Sequence, residues 1–233
     1  MWAVVPVKRF SNAKTRLAGV LTNAERESLA QVMLNDVLRA LSQCQLVSGI
    51  LVVSNELRAR YAAERVGGLF LFEEETGVSQ AIVKASEWLK NHGQRSFMML
   101  PGDIPLLNSV EVDRLVSKHS GTRGVTLAPD RRLEGTNGLI VSPTDVIPFC
   151  FGSDSFSKHA EASKTAGVSP QIVKEPGISL DIDSPIDLHH LLTHDGETES
   201  LAYLADSGIA RRMMSTGQTQ EYKSEIMAAS RLM

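Results

Sequence analysis

The chain has 233 residues, 42% of them hydrophobic and 22% charged, with a formal net charge of −3. That length buries a sizeable core unaided, and two cysteines, Cys44 and Cys150, exclude a disulfide framework or a cysteine-based zinc cluster. Lys and Arg are spread along the chain, which argues against an extended nucleic-acid surface, and no apolar run approaches the roughly 20 residues of a membrane span.

Taken in chain order, Trp2 to Val7 reads as the first strand. Apolar as it is, it lacks a preceding basic region and meets Lys8-Arg9 too early for a signal peptide, so a cytoplasmic protein with free thiols is expected. Thr22-Asn23-Ala24-Glu25 has capping-box spacing, and behind it Leu29, Val32, Met33, Val37, Ala40 and Leu41 share one helical face. Ile50 to Val53 predicts a second strand, Glu56 to Arg65 a helix and Leu69 to Phe72 a third strand. A helix over 77–91 turns Ile82, Ala85, Trp88 and Leu89 inward. Phe97 to Leu100 is a fourth strand, and Ser109 caps a helix carrying Val112, Leu115 and Val116. Val125 to Ala128 and Leu139 to Val141 follow as strands. The runs lack polar alternation, as strands covered on both faces do. Strand alternating with helix predicts an α/β fold with a mostly parallel sheet and helices on both faces. Beyond residue 143, helices are expected over Ser155 to Thr165, from Pro185 to Leu192, and over Glu197 to Met214 with a break at Gly208. A single domain over 1–214 is the economical reading, with 215–233 a tail, mobile or weakly helical.

Four segments carry candidate chemistry. After the first strand, Lys8, Arg9, Lys14 and Arg16 place four cations within nine residues, at the strand edge where open α/β sheets bind ligands. They suit polyphosphate, although a solvated basic loop has the same composition, and no glycine precedes Gly19 to make a Walker or dinucleotide loop. Next, a strand runs directly into Gly102-Asp103-Ile104-Pro105, where Asp103 either holds a hard cation or closes a turn. In Leu180-Asp181-Ile182-Asp183-Ser184-Pro185, extended backbone puts Asp181 and Asp183 on one side, where a metal would relieve their repulsion; alternatively Asp183 caps the helix at Pro185. Finally, Glu134 to Gly138 and Phe151 to Ser155 offer small hydroxyl residues and backbone amides to an anion, with Ser155 equally able to serve as a cap. Asp103, Asp181, Asp183 and the cationic loop together are what metal-assisted phosphoryl or nucleotidyl transfer needs. The histidines show no metal-ligand spacing, and the two cysteines read as packed thiols.

In order and spacing, Pro6-Val7-Lys8, Ala13-Lys14-Thr15-Arg16-Leu17, Gly102-Asp103-Ile104-Pro105-Leu106, Gly135-Thr136-Asn137, Phe151-Gly152-Ser153-Asp154-Ser155 and Leu180 to Pro185 resemble the 2-phospholactate guanylyltransferase family of coenzyme F-420 biosynthesis. The resemblance spans roughly residues 2–212. It implies a nucleotide-diphospho-sugar transferase-like fold, glycosyltransferase-A-like and Rossmann-type. It also implies transfer of GMP from GTP to 2-phospho-L-lactate, phosphoenolpyruvate or 3-phospho-D-glycerate, with release of pyrophosphate. On this likeness Asp103, Asp181 and Asp183 are magnesium ligands, and Thr136, Gly152 and Ser155 hold the acceptor. Lys8, Lys14 and Arg16 face the GTP phosphates and form the catalytic set with Asp103. One departure stands out: many members carry a Gly-Leu-Asn-Ala-Ala-Leu-like segment where this chain has Gly77-Val78-Ser79-Gln80-Ala81-Ile82. Another nucleotidyltransferase of the same fold, acting on a molybdopterin or a sugar phosphate, stays open, as does a non-catalytic nucleotide-binding protein; the retained aspartates argue against the latter. The expected partners are GTP and a small phospho-acid, with neither nucleic acid nor membrane, and a homodimer through the helical end is left open.

Overall fold

In the computed structural model, which describes residues 1–74 and 77–215, seven strands form one sheet in the order β3-β2-β1-β4-β6-β5-β7. They are β1 (Trp2–Val7), β2 (Gly49–Ser54), β3 (Leu69–Phe72), β4 (Phe97–Met99), β5 (Gly124–Pro129), β6 (Thr136–Ser142) and β7 (Gln171–Ile172). β1 runs parallel to both β2 and β4, with Trp2 opposite Gly49 on one side and Phe97 on the other. β6 is antiparallel to β4 and to β5, and β7 is parallel to β5. The sheet is therefore mostly parallel, as expected, with β6 reversed.

Nine α-helices and two short 3-10 helices accompany these strands among the described residues. α1 (Asn23–Ser42), α2 (Leu57–Arg65) and α4 (Ser109–Lys118) cover one face, burying Leu34, Leu38, Ala59 and Leu115 against Ala3, Val5, Val52 and Met98. α3 (Val78–Asn91) and α5 (Ser155–Thr165) cover the other, where Ile82, Ala85 and Phe156 meet Val4, Leu51, Phe97 and Leu139. Adjacent β1 residues thus bury opposite faces, which is why the strand lacks a polar stripe. α6 (Pro176–Ser179) is a single turn, followed by α7 (Pro185–Leu192), α8 (Glu199–Asp206) and α9 (Ile209–Ser215). α7, α8 and α9 pack on the outer side of α1, where Leu29 and Met33 join Leu188, Leu191, Leu204 and Ile209 in a third core.

Most boundaries follow the sequence. Thr22 caps α1 through a complete capping box with Glu25, and Gly208, at φ +75°, separates α8 from α9. Several expectations are corrected. Asn108, not Ser109, caps α4, because its side chain accepts the Glu111 N–H. Ser184, not Asp183, caps α7, in a second capping box with Asp187. Val32 and Trp88 face the core as expected but are only half-buried. β7 and α6 carried no sequence signal. The expected tail 215–233 lies outside the described residues apart from Ser215, which ends α9.

Candidate active site

The strand order changes direction at β1, whose neighbours are β2 and β4, so the loops leaving these carboxyl ends diverge and open a crevice. β6 is antiparallel, which brings its first residues, Thr136 and Asn137, to that same edge. A cleft of about 690 Å³ results. Nine residues expected to form the site line it, Lys8, Lys14, Arg16, Asp103, Thr136, Gly152, Ser155, Asp181 and Asp183, whereas the fourth cation of the loop, Arg9, lines a neighbouring cavity instead. An adjoining cavity of about 280 Å³ lies between the Lys8-Arg9 turn, Val53 to Asn55 and the start of α3.

The acidic segments are stitched together by backbone. The Ile182 N–H donates to the Asp103 carbonyl at 3.1 Å. Ile182 is fully buried in the third core, so Asp181 and Asp183 turn the other way, toward the cleft, as the strand period predicts. Because Ser184 takes the capping role, the Asp183 carboxylate is left for the site. Lys14, in the left-handed region at φ 55°, inserts its ammonium between the loops. It donates to Asp103 Oδ2 at 2.5 Å and to Asp183 Oδ1 at 2.9 Å, with a side chain only 5% exposed.

The three carboxylates feel one another and the cations. Burial opposes the Lys14 charge, but attraction and hydrogen bonds from Asp103 and Asp183 outweigh it and raise the group above the ordinary lysine value. Asp183 is held below the usual carboxylate range by the Lys14 charge, against the opposing effect of burial, with further help from Arg16 and Lys8. Asp181 is pushed up to about 6 by burial and by repulsion from Asp103 and Asp183, although it accepts a hydrogen bond from Asn137 Nδ2 at 3.0 Å. Lys8 and Arg16 lie exposed at the rim. Among the described residues no group of three His, Cys, Asp or Glu side chains is arranged as a metal cage, and the Lys14 ammonium lies between two of the expected ligands. The donor set still fits a hard divalent cation, since all three are carboxylates and Asp181 has no cation paired with it among the described residues.

Across the cleft, Ser155 Oγ accepts the Thr136 N–H at 2.9 Å, and Thr136 Oγ1 lies 3.0 Å from His159 Nδ1. Asp154 is the α5 cap residue, so Ser155 is the first helical residue and its hydroxyl serves β6 rather than the cap. Gly152 has φ +119°, a conformation that only glycine adopts freely. Ser79, standing near where relatives of the resembled family carry asparagine, accepts the Phe151 N–H at 3.0 Å and so braces the 151–155 loop from α3. Two contributors carried no assigned role in the sequence reading. Asn137 orients Asp181, and His159 supports Thr136; its only sequence signal is the four-residue spacing from Ser155, which puts both on one face of α5. The thiols take no part: burial, with Asp113 nearby, pushes Cys44 up to about 12, and Cys150 contributes its backbone N–H to His159.

Residues 1–225 match the family described as Guanylyl transferase CofC like. The phosphoenolpyruvate guanylyltransferase of Conexibacter woesei is 36% identical over 192 residues, 82% of this chain and 86% of that protein. The 3-phospho-D-glycerate guanylyltransferase of Colwellia psychrerythraea is 32% identical, covering 81% of this chain and 89% of that one. The 2-phospho-L-lactate guanylyltransferase of Methanobrevibacter ruminantium is 29% identical, covering 90% and 92%. In structure, a protein from Desulfovibrio desulfuricans G20 named as a nucleotide-diphospho-sugar transferase superposes with a TM-score of 0.72 at 16% identity, over 91% of this chain and 97% of that chain. A 4-diphosphocytidyl-2C-methyl-D-erythritol synthase superposes at 0.55 and 12% identity, over 82% and 95%. These likenesses show the fold.

Proposed function

Because the chain belongs to the CofC-like guanylyl transferase family, we propose that it transfers GMP from GTP to a three-carbon phospho-acid and releases pyrophosphate, as a step in coenzyme F-420 biosynthesis. The acceptors to consider are those in the relatives' names: phosphoenolpyruvate, 3-phospho-D-glycerate and 2-phospho-L-lactate. The observation that carries the reading is the meeting of two opposed sets in one cleft. Carboxylates and Lys14 stand at the ends of β1 and β4, and paired hydroxyls stand at the start of β6 and α5.

In this reading the guanine base takes the adjoining cavity beside Lys8 and α3, and the triphosphate runs along the cationic loop. An acceptor phosphate oxygen attacks the α-phosphorus of GTP in line with the leaving pyrophosphate. That oxygen is already ionised near neutral pH, so no general base is required. Asp103, Asp181 and Asp183 would hold a magnesium ion, which when bound neutralises phosphate charge. Lys8 and Arg16 meet the triphosphate at the rim, and Lys14 ties the two acidic loops together. Thr136, Ser155 and the Gly152 turn hold the acceptor so that its phosphate faces the nucleotide, and this positioning supplies much of the rate.

Incubation with GTP, magnesium and each acceptor, with mass detection of the guanylylated product and parallel reactions with CTP and ATP, tests the proposal. A guanylylated phospho-acid with one equivalent of pyrophosphate is expected. Absence of pyrophosphate with all three acceptors, or a faster reaction with CTP, overturns it.

A further inference from the structure

His159 is fully buried, and both of its ring nitrogens are engaged. The Cys150 backbone N–H donates to Nε2 at 2.9 Å. A backbone amide can only donate, so Nε2 carries a lone pair and the neutral ring keeps its one proton on Nδ1. Nδ1 lies 3.0 Å from Thr136 Oγ1. This second bond therefore has one possible direction: the imidazole donates and the hydroxyl accepts.

One of the two lone pairs of Thr136 Oγ1 is thereby taken, and the hydroxyl proton turns away from His159. With His159 donating to its oxygen, its own proton must find another acceptor, and none takes it among the described residues. Ser155 repeats the pattern, since its oxygen accepts the Thr136 N–H and its proton likewise has no acceptor among the described residues. Both residues are buried and both line the cleft. Two hydroxyls whose protons are left without a partner favour an oxyanion, a carboxylate or phosphate group, over a ligand group that would strand those protons.

We propose that His159 is a positioning residue: held in the Nδ1–H form by Cys150, it turns the Thr136 hydroxyl proton outward as a donor to an anionic oxygen of the acceptor. The inference rests on the reading of Thr136 and Ser155 as acceptor-binding groups. It assigns His159 no contact with substrate. The discrimination follows from geometry alone, because reversing the imidazole tautomer would set two N–H groups against each other at Cys150.

Two substitutions separate this role from simple support. In His159→Asn the amide N–H stands near the Nδ1 position and still donates to Thr136, but the Cys150 N–H loses its acceptor. In His159→Gln the amide oxygen reaches the Nε2 position and keeps the Cys150 contact, but the donation to Thr136 is lost. His159→Gln is expected to raise the KM for phosphoenolpyruvate or 3-phospho-D-glycerate roughly tenfold or more. The KM for GTP should stay unchanged and the melting midpoint near wild type. His159→Asn should recover most of the acceptor KM while melting lower. In a Thr136→Val background, His159→Gln should change the acceptor KM less than about twofold.

A merely supporting histidine gives the opposite order, with His159→Asn the more impaired, and that result overturns the proposal. So do effects of His159→Gln and Thr136→Val that multiply, or equal losses for both substrates. Nitrogen-15 NMR of the wild-type ring gives a readout free of folding or activity: a proton on Nδ1 is expected, and a proton on Nε2 sinks the inference. Thr136→Val separates the two levels of argument. Unchanged acceptor kinetics there removes the acceptor reading and this inference with it. A raised acceptor KM there, with His159→Gln at wild-type values, removes only the role of His159.

Discussion

Lys14 holds together two loops whose carboxylates would otherwise repel. Its ammonium is nearly inaccessible, whereas Asp103 and Asp183 are 31% and 46% exposed. Removing one partner from a buried charge cluster leaves the rest uncompensated. Asp183→Asn is therefore expected to lower turnover roughly a hundredfold or more while circular dichroism stays native. Near-wild-type pyrophosphate release at saturating magnesium would remove Asp183 from the metal and phosphate machinery. Arg16 is exposed and acts on Asp183 only through its field. If it meets the triphosphate in a desolvated contact, Arg16→Ala should cost about 2–5 kcal/mol in kcat/KM for GTP, whereas a solvated rim charge costs about 0–1 kcal/mol. Kinetics across a range of salt concentrations decide between them. The residue types and the period-two spacing of Asp181 and Asp183 were legible in the sequence. That Lys14 pairs with both acidic loops was not, because its partners lie 89 and 169 residues away.

α1 does more than its amphipathic pattern announces. Leu29 and Met33 belong to one core, and Leu34, Val37 and Leu38 to another, so the helix is buried on two sides. A single apolar stripe anticipates the first contact only, since the second comes from helices that follow more than 140 residues later. Asp36 makes that second contact specific. Its carboxylate accepts the Glu199 N–H at 2.8 Å, the Ser200 N–H at 2.9 Å and the Ser200 hydroxyl at 2.6 Å, at the first turn of α8. Asp36→Ala strands these buried donors and unpairs Arg39, and should destabilise the protein by about 3 kcal/mol, read as a lower urea midpoint. A midpoint within error of wild type would mean that α8 docks through apolar contacts alone. β7 and α6 escaped the sequence reading for local reasons. The Gln171–Ile172 pair is exposed and too short for a pattern. The α6 turn exists because Pro176 opens it and Gly177 has no side chain, which lets Glu111 and the Leu106 carbonyl close in.

At the scale of the whole molecule, His159 contributes a loss of stability in mild acid that Asp181 offsets. Burial lowers this imidazole from 6.5 to about 4. Above pH 6.5 the ring is neutral whether folded or unfolded, and its contribution is constant. Below 6.5 the unfolded chain takes up the proton first, so stability falls as pH drops toward 4, by about 3 kcal/mol in total. Asp181 acts in the opposite sense: raised to about 6, it binds a proton in the folded state first and gains stability as pH falls from there toward 3.8. The difference between wild type and His159→Gln isolates the histidine. Urea unfolding from pH 7.5 to 4.5 should show the wild type losing more stability than the variant, and parallel curves would contradict the burial argument. The sequence by itself determined every strand but β7, the main helices, the capping box at Thr22 and the candidate residues, because apolar periodicity, capping and strand alternation are written within a few neighbouring positions. Only the tertiary structure decided that β6 runs against β4 and delivers Thr136 and Asn137 to the carboxyl ends of the parallel strands. It alone decided that Ser155 braces β6, that His159 fixes the direction of a hydroxyl, and that Lys14 lies between Asp103 and Asp183. These are choices of partner between distant segments, made by the direction and register of strands and by the burial of polar groups that must find one another, and no local pattern encodes them.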